Sequence, residues 1–136
     1  MIFEYIQVGK LNIEILGKIG IQLITDEVIL TFERLSHVED RRKNLYEDIK
    51  DILLKAVYNP DYIYKDWNNR ENTFVFIKNI NKNSKLNIII KIAKLNDEKH
   101  SKNSIITMIK VGNKTFNKIN KNKSSYLLYE KLDKIE

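Results

Sequence analysis

The chain has 136 residues, is 43% hydrophobic and 31% charged, and carries a formal net charge of +6. That length suits one domain with its own core. The chain has no Cys, which excludes disulfides and thiolate metal sites, and no apolar run is long enough to span a bilayer.

The start, Met1-Ile2-Phe3-Glu4-Tyr5, lacks a basic region followed by an apolar core, so a cytoplasmic protein is the expectation. Residues 1–31 read as a lead-in and 32–136 as the core of a single domain. Residues 2–8 are rich in strand formers. Leu11, Ile13 and Ile15 repeat with period two, which predicts a short strand over 11–16 before Gly17 and Gly20, with a helical turn as the alternative. A second apolar run covers Ile21–Ile24, and Val28–Thr31 reads as a strand feeding a helix. Helices are predicted over Phe32–Lys43 and Leu45–Val57. In the second, Leu45, Ile49, Ile52, Leu53, Ala56 and Val57 follow the helical period. Asn59-Pro60 ends it, because a residue before proline avoids helical backbone angles.

Strands dominate from there. Asp61–Lys65, Thr73–Ile80, Leu86–Leu95 and Ser104–Val111 are each bounded by polar turns, and Leu86–Leu95 is the most apolar and hence the expected centre of the sheet. A short basic helix is expected over Asn113–Lys123, with Phe116 and Ile119 inward, and a last strand over Ser125–Leu132. The pattern predicts an α+β fold. Two helices pack on one face of an antiparallel sheet of four to five strands, and the other face is open to a ligand.

Charge is unevenly placed. Residues 1–77 hold 10 Lys/Arg and 13 Asp/Glu, whereas residues 78–136 hold 14 and 5. A basic half suits a polyanion, because Lys and Arg near phosphates release counterions. Lys, Asn and Ile all have A/T-rich codons, so the bland alternative is a genome biased toward A/T, which would give much of this basicity without any selection for binding.

Several residues could carry chemistry. His37 and Arg41, at i and i+4, share a helix face. Imidazole moves protons near neutral pH, and guanidinium binds phosphate through parallel hydrogen bonds. The bland alternative is a solvated pair beside Glu39 and Asp40. Lys78 and Lys91 each sit late in an otherwise apolar strand. On the open face either could stabilise a phosphorane-like charge; otherwise they are solvated by ordinary alternation. Ser104 and Thr107, three apart, face opposite sides of a regular strand unless a bulge intervenes. His100, in a polar loop, is a second proton-transfer candidate. Arg42 and Tyr129 are further substrate contacts, although tyrosines such as Tyr126 and Tyr129 are more often core or rim residues. No zinc or two-metal ligand spacing and no glycine-rich phosphate loop is visible, so no metal or cofactor is expected.

Taken in order, His37-Val38-Glu39-Asp40-Arg41, Asn59-Pro60-Asp61-Tyr62-Ile63, Asn72 through Lys78, Asn103-Ser104-Ile105-Ile106-Thr107 and Leu128-Tyr129-Glu130-Lys131 resemble the phage-encoded nuclease domains of the barnase–EndoU–colicin–RelE group, the BECR fold. Val8-Gly9-Lys10-Leu11 and Ile24 through Thr31 resemble that family's lead-in. Where the family commonly carries Arg-His after its first His, this chain has Arg41-Arg42. The resemblance implies a toxin-like, metal-independent endoribonuclease of phage or mobile-element type. It would act by 2′-hydroxyl attack and leave a cyclic phosphate. In that reading His37 transfers the proton. Arg41, Lys78 and Lys91 bind phosphate, and Thr107, ahead of Ser104, positions an oxygen. RNA, tRNA among the options, is the expected partner, with a protein inhibitor as a second one and no membrane. The rival expectations are a non-catalytic nucleic-acid-binding module and a structural domain of a mobile element that retains the fold.

Overall fold

A computed structural model describes residues 4–98 and 101–132. Its strands are β1 (Tyr5–Lys10), β2 (Glu27–Thr31), β3 (Tyr62–Lys65), β4 (Thr73–Asn79), β5 (Ser84–Lys91), β6 (Asn103–Gly112) and β7 (Leu127–Glu130). The helices are α1 (Ile13–Lys18), α2 (Phe32–Arg41), α3 (Leu45–Tyr58) and α4 (Asn113–Asn122). The strands form one sheet in the order β1-β2-β6-β5-β4-β3-β7. The α+β class is as expected, and β5 is the central strand.

Three features differ from the sequence reading. The sheet has seven strands rather than four to five, because β1 and β2 of the lead-in join it. It is not wholly antiparallel, since β2 runs parallel to β6. A parallel pair needs a long crossover, and the two helices and three strands between β2 and β6 provide one. The strand predicted over 11–16 is helical in its main part. Asn12 caps that turn, its Oδ1 accepting from the N–H of Glu14 at 3.0 Å and of Ile15 at 3.2 Å. A local side-chain cap of this kind outcompetes weak alternation.

The larger core lies between the sheet and α3. Leu45, Ile49, Leu53, Ala56 and Val57 pack there against Phe74, Phe76, Leu86, Ile88 and Ile90. Each fully buried Leu, Ile, Val or Phe side chain among them contributes about 1.5–3 kcal/mol. The glycine between Val8 and Lys10 allows the close approach of β1 to α3. A Cβ on Gly9 would lie 2.6 Å from Val57 Cγ2, and its φ is +155°. We therefore expect Gly9→Ala to destabilise by about 1–3 kcal/mol. This would be read as a lower urea midpoint with an unchanged slope.

The opposite face is not fully open, which corrects the expectation of helices on one side only. A second cluster forms there, with Phe116 of α4 on Tyr62, Tyr64, Val75 and Ile77. The apolar pair Phe116 and Ile119 gives α4 one greasy stripe, which must be covered. Burial pushes the Tyr64 phenol up to about 12, with Tyr62 adding to the rise. Tyr64 thus stays a neutral donor to Asn120 Oδ1, at 3.3 Å. What remains open on this face is the end where β4 begins and β5 finishes.

Candidate functional site

Residues paired across strands share a face, so the register fixes what lines the open end. Thr73 pairs with Lys91, and Lys91 with Ser104. One row along, Val75 pairs with Ile89, and Ile89 with Thr107. The β5–β6 register shifts between Ile89 and Ile90, so Ile106 is an extra residue in β6. That bulge puts Ser104 and Thr107 on the same face, although they are three positions apart. A regular strand would have separated them.

Beyond Thr31, α2 takes the place of β2 beside the continuing β6. Thr31 caps the helix, its Oγ1 accepting from Arg34 N–H at 3.2 Å. Two adjoining hollows, of about 530 and 460 Å³, lie at this end of the sheet. Both are of ligand-site size. The first is bounded by Thr31, Glu33 and Arg34 of α2, by Arg70 and by Ile106. The second is bounded by Asn72, Asp97 and Lys102. Glu71, Lys91 and Ser104 line both. The site therefore centres on a carboxylate, an ammonium and a hydroxyl, with two guanidiniums at its rim.

The loop before β4 holds Arg70 in place. The Asp66 side chain is 1% exposed. Its carboxylate accepts from Arg70 Nε at 2.7 Å and Nη2 at 3.3 Å, and from the backbone N–H of Asn68 and Arg70. Burial acts to raise the Asp66 pKa, but the Arg70 side chain and the backbone donors outweigh it, and the pKa is lowered. A carboxyl with a folded pKa below its unfolded one stabilises the fold at pH above the unfolded value. That stability is lost as pH falls through the folded value. We expect the urea midpoint of Asp66→Asn to start below that of the parent at pH 7. It should then fall less between pH 5 and pH 3 than the parent's does.

Of the residues singled out from the sequence, Lys91, Ser104 and Thr107 come together. His37 is exposed on α2. It lies one turn beyond Glu33 and Arg34, on the stripe that reaches Arg41. Arg41 is the last residue of α2, also exposed. Arg42 turns away to Asp48, at 2.8 Å, where it braces the corner between α2 and α3. His100 lies outside the described residues.

Lys78 and Tyr129 are not at this site. Lys78 pairs with Leu86, which is in the larger core, so it points to the α3 face. It is also five residues along β4 from Thr73, roughly 17 Å away. Its Nζ donates to Asn59 O at 2.8 Å and sits 3.7 Å from Asp61. Burial lowers its pKa, and Asp61 offsets part of that. Asp61 in turn accepts from Asn79 N–H at 2.8 Å. The Asn59-Pro60-Asp61 turn and Lys78 are thus one structural latch. Tyr129 pairs with Ile63 and packs on the larger core, four strands from β6.

Sequence reasoning missed Arg34, Arg70 and Glu71. Arg34 had a signal, since 34, 37 and 41 form one helical stripe. Arg70 and Glu71 had none, being loop residues placed by a buried carboxylate. Among the described residues, no group of three or more His, Asp or Glu gathers as a metal-binding cluster. No helix there is long and apolar enough to cross a membrane.

Fold and site define an α+β domain with a mixed-charge cleft at one end of its sheet. Residues 8–130 match the family described as phage-Barnase-EndoU-ColicinE5/D-RelE like nuclease2, and the chain belongs to that family. Comparison with curated proteins and with solved structures gave no match. The family is one of nuclease-like phage domains, which implies a nucleic acid as substrate.

Proposed function

We propose that the protein is a metal-independent endoribonuclease of toxin-like type. The observation that carries this reading is the convergence of Lys91, Ser104 and Glu71, which line both adjoining hollows, with Arg34 and Arg70, which line the larger one. Arg34, Arg70 and Lys91 bind the scissile phosphate and neutralise the charge that builds on it. Arg41 extends that cationic stripe along α2. Ser104 donates to a phosphate oxygen, and Thr107 supports it from the next row. Glu71 and His37 divide the proton transfers. One takes the proton from the ribose 2′-hydroxyl as its oxygen attacks phosphorus. The other gives a proton to the departing 5′-oxygen. The P–O5′ bond breaks, leaving a 2′,3′-cyclic phosphate and a 5′-hydroxyl. A cytoplasmic setting and a protein inhibitor that restrains the activity follow from the same reading.

The test is incubation of the purified protein with total RNA in excess EDTA, beside Glu71→Gln and His37→Ala. Fragments ending in cyclic phosphate, reduced about 10²–10⁴-fold in each variant, are the expected result. Cleavage of DNA, or dependence on added divalent metal, would overturn the mechanism. Intact RNA across substrates, with salt-sensitive binding retained, would instead indicate a non-catalytic binding module.

A further inference from the structure

A second cationic surface lies on the same sheet face as the cleft, at its far end. In α4, Phe116 is buried and Ile119 half-buried against the second cluster. Lys114, Lys118 and Lys121 are all exposed. At 3.6 residues per turn these three fall within roughly 60° of one another, directly away from Phe116. None of them has an ion-pair partner among the described residues. From Lys99 to Tyr129 the chain carries seven Lys and no Asp or Glu. Lys85 adds to the group, its Nζ 4.8 Å from the Phe116 ring centroid. Lys82 is tied in as well, its carbonyl accepting from Asn113 Nδ2.

Codon bias explains an excess of Lys but not this arrangement. An amphipathic helix whose outward face is purely Lys and Asn repels itself and carries a standing electrostatic cost without a polyanion. Asn117 and Asn122, also exposed, add hydrogen-bonding groups that suit phosphate and ribose. The outward stripe has no apolar side chain to enter a bilayer, which a membrane-binding helix needs.

We propose that α4 is a backbone-binding exosite that holds the RNA strand running away from the cleft. The proposal rests on the RNA reading above. Lys85, beneath α4, and Lys91, in the cleft, are six residues apart on β5, roughly 20 Å. A strand spanning that length presents several phosphates to the helix. Thr107 and the exposed Ile109 lie between the two ends on this face. Long RNA would thus be held at two points, and a di- or trinucleotide at one.

The experiment compares the parent with a Lys114→Gln, Lys118→Gln, Lys121→Gln triple variant. Binding of a 20-nucleotide 2′-O-methyl RNA, which lacks the attacking hydroxyl, is measured over a salt series. The salt slope should shallow by about 2 units, from roughly 0.7 per lost single-strand phosphate contact. KM for long RNA should rise about tenfold or more, with cleavage of a dinucleotide unchanged. An unchanged slope and unchanged KM overturn the exosite. Tighter binding to phosphatidylserine vesicles than to RNA also overturns it, in favour of a lipid surface. A shallower slope in a protein that cleaves no RNA supports the exosite and refutes the nuclease mechanism, so the two failures are distinct. All three lysines are exposed, so melting temperature should stay within a degree or two and exclude unfolding as the cause.

Discussion

Lys91→Ala should lower RNA cleavage about 10²–10³-fold, the usual loss when one fixed group that stabilises transition-state charge is removed. Lys91 ends β5 and is exposed, and it pairs across the sheet with Thr73 and Ser104. Among the described residues its ammonium has no hydrogen bond or ion pair. The charge is therefore available to a phosphate, and its removal leaves no buried partner unsatisfied. Stability should be unchanged within about 0.5 kcal/mol, as for ordinary surface substitutions. A single-turnover assay with thermal melts on the same preparations separates the two effects. Lys78→Ala should show the reverse pattern. Its loss frees the Asp61 carboxylate and the Asn59 carbonyl in a half-buried latch while the cleft stays intact. A Lys91→Ala variant that cleaves like the parent would remove this residue from the site.

The contrast between these two lysines shows what the sequence could and could not convey. Both lie late in apolar strands, and local pattern treats them alike. They differ in the parity of their register against Thr73 and in a partner, Asp61, that lies 17 residues earlier than Lys78. Helix α3 was legible nearly to its ends because buried residues recur with the helical period and Asn59-Pro60 stops it, whereas α2, with Val38 alone buried, was legible from the half-buried Leu35 and Val38 set among charged residues. The strand β4 was legible from its β-branched and aromatic run. The bulge was not. Ile105-Ile106-Thr107-Met108-Ile109 is apolar almost throughout, so no alternation marks the extra residue that brings Thr107 round to Ser104. The site was half legible for the same reason. Lys91 and Ser104 lie on strands, whereas Arg70 and Glu71 follow a loop whose course depends on a buried Asp66.

Asn103 gives the second large effect, in stability rather than chemistry. It is fully buried, with all its side-chain hydrogen bonds to backbone. Its Oδ1 accepts from Ala93 N–H at 2.8 Å. Its Nδ2 donates to Thr25 O at 2.6 Å and Glu27 O at 2.9 Å. One amide thus ties the start of β6 to the lead-in of β2 and to the chain leaving β5. That is where the parallel pair begins, Val28 facing Asn103. Asn103→Leu is close in volume but orphans one buried donor and two acceptors. At about 1–3 kcal/mol for each unsatisfied group, offset by the added apolar burial, a loss of about 3–5 kcal/mol is expected. That is a large fraction of a typical domain's stability. Asn103→Asp tests the directionality of the bonds. A carboxylate keeps the acceptor for Ala93 but faces two carbonyl oxygens without a proton to offer. Its protonated form can donate one bond. The pKa of the introduced carboxyl should therefore be raised in the folded state, and stability should recover as pH falls toward 5. Urea unfolding of both variants at pH 7 and pH 5 measures this. Equal midpoints for Asn103→Asp at the two pH values would show that the two carbonyls do not need a donor from this side chain.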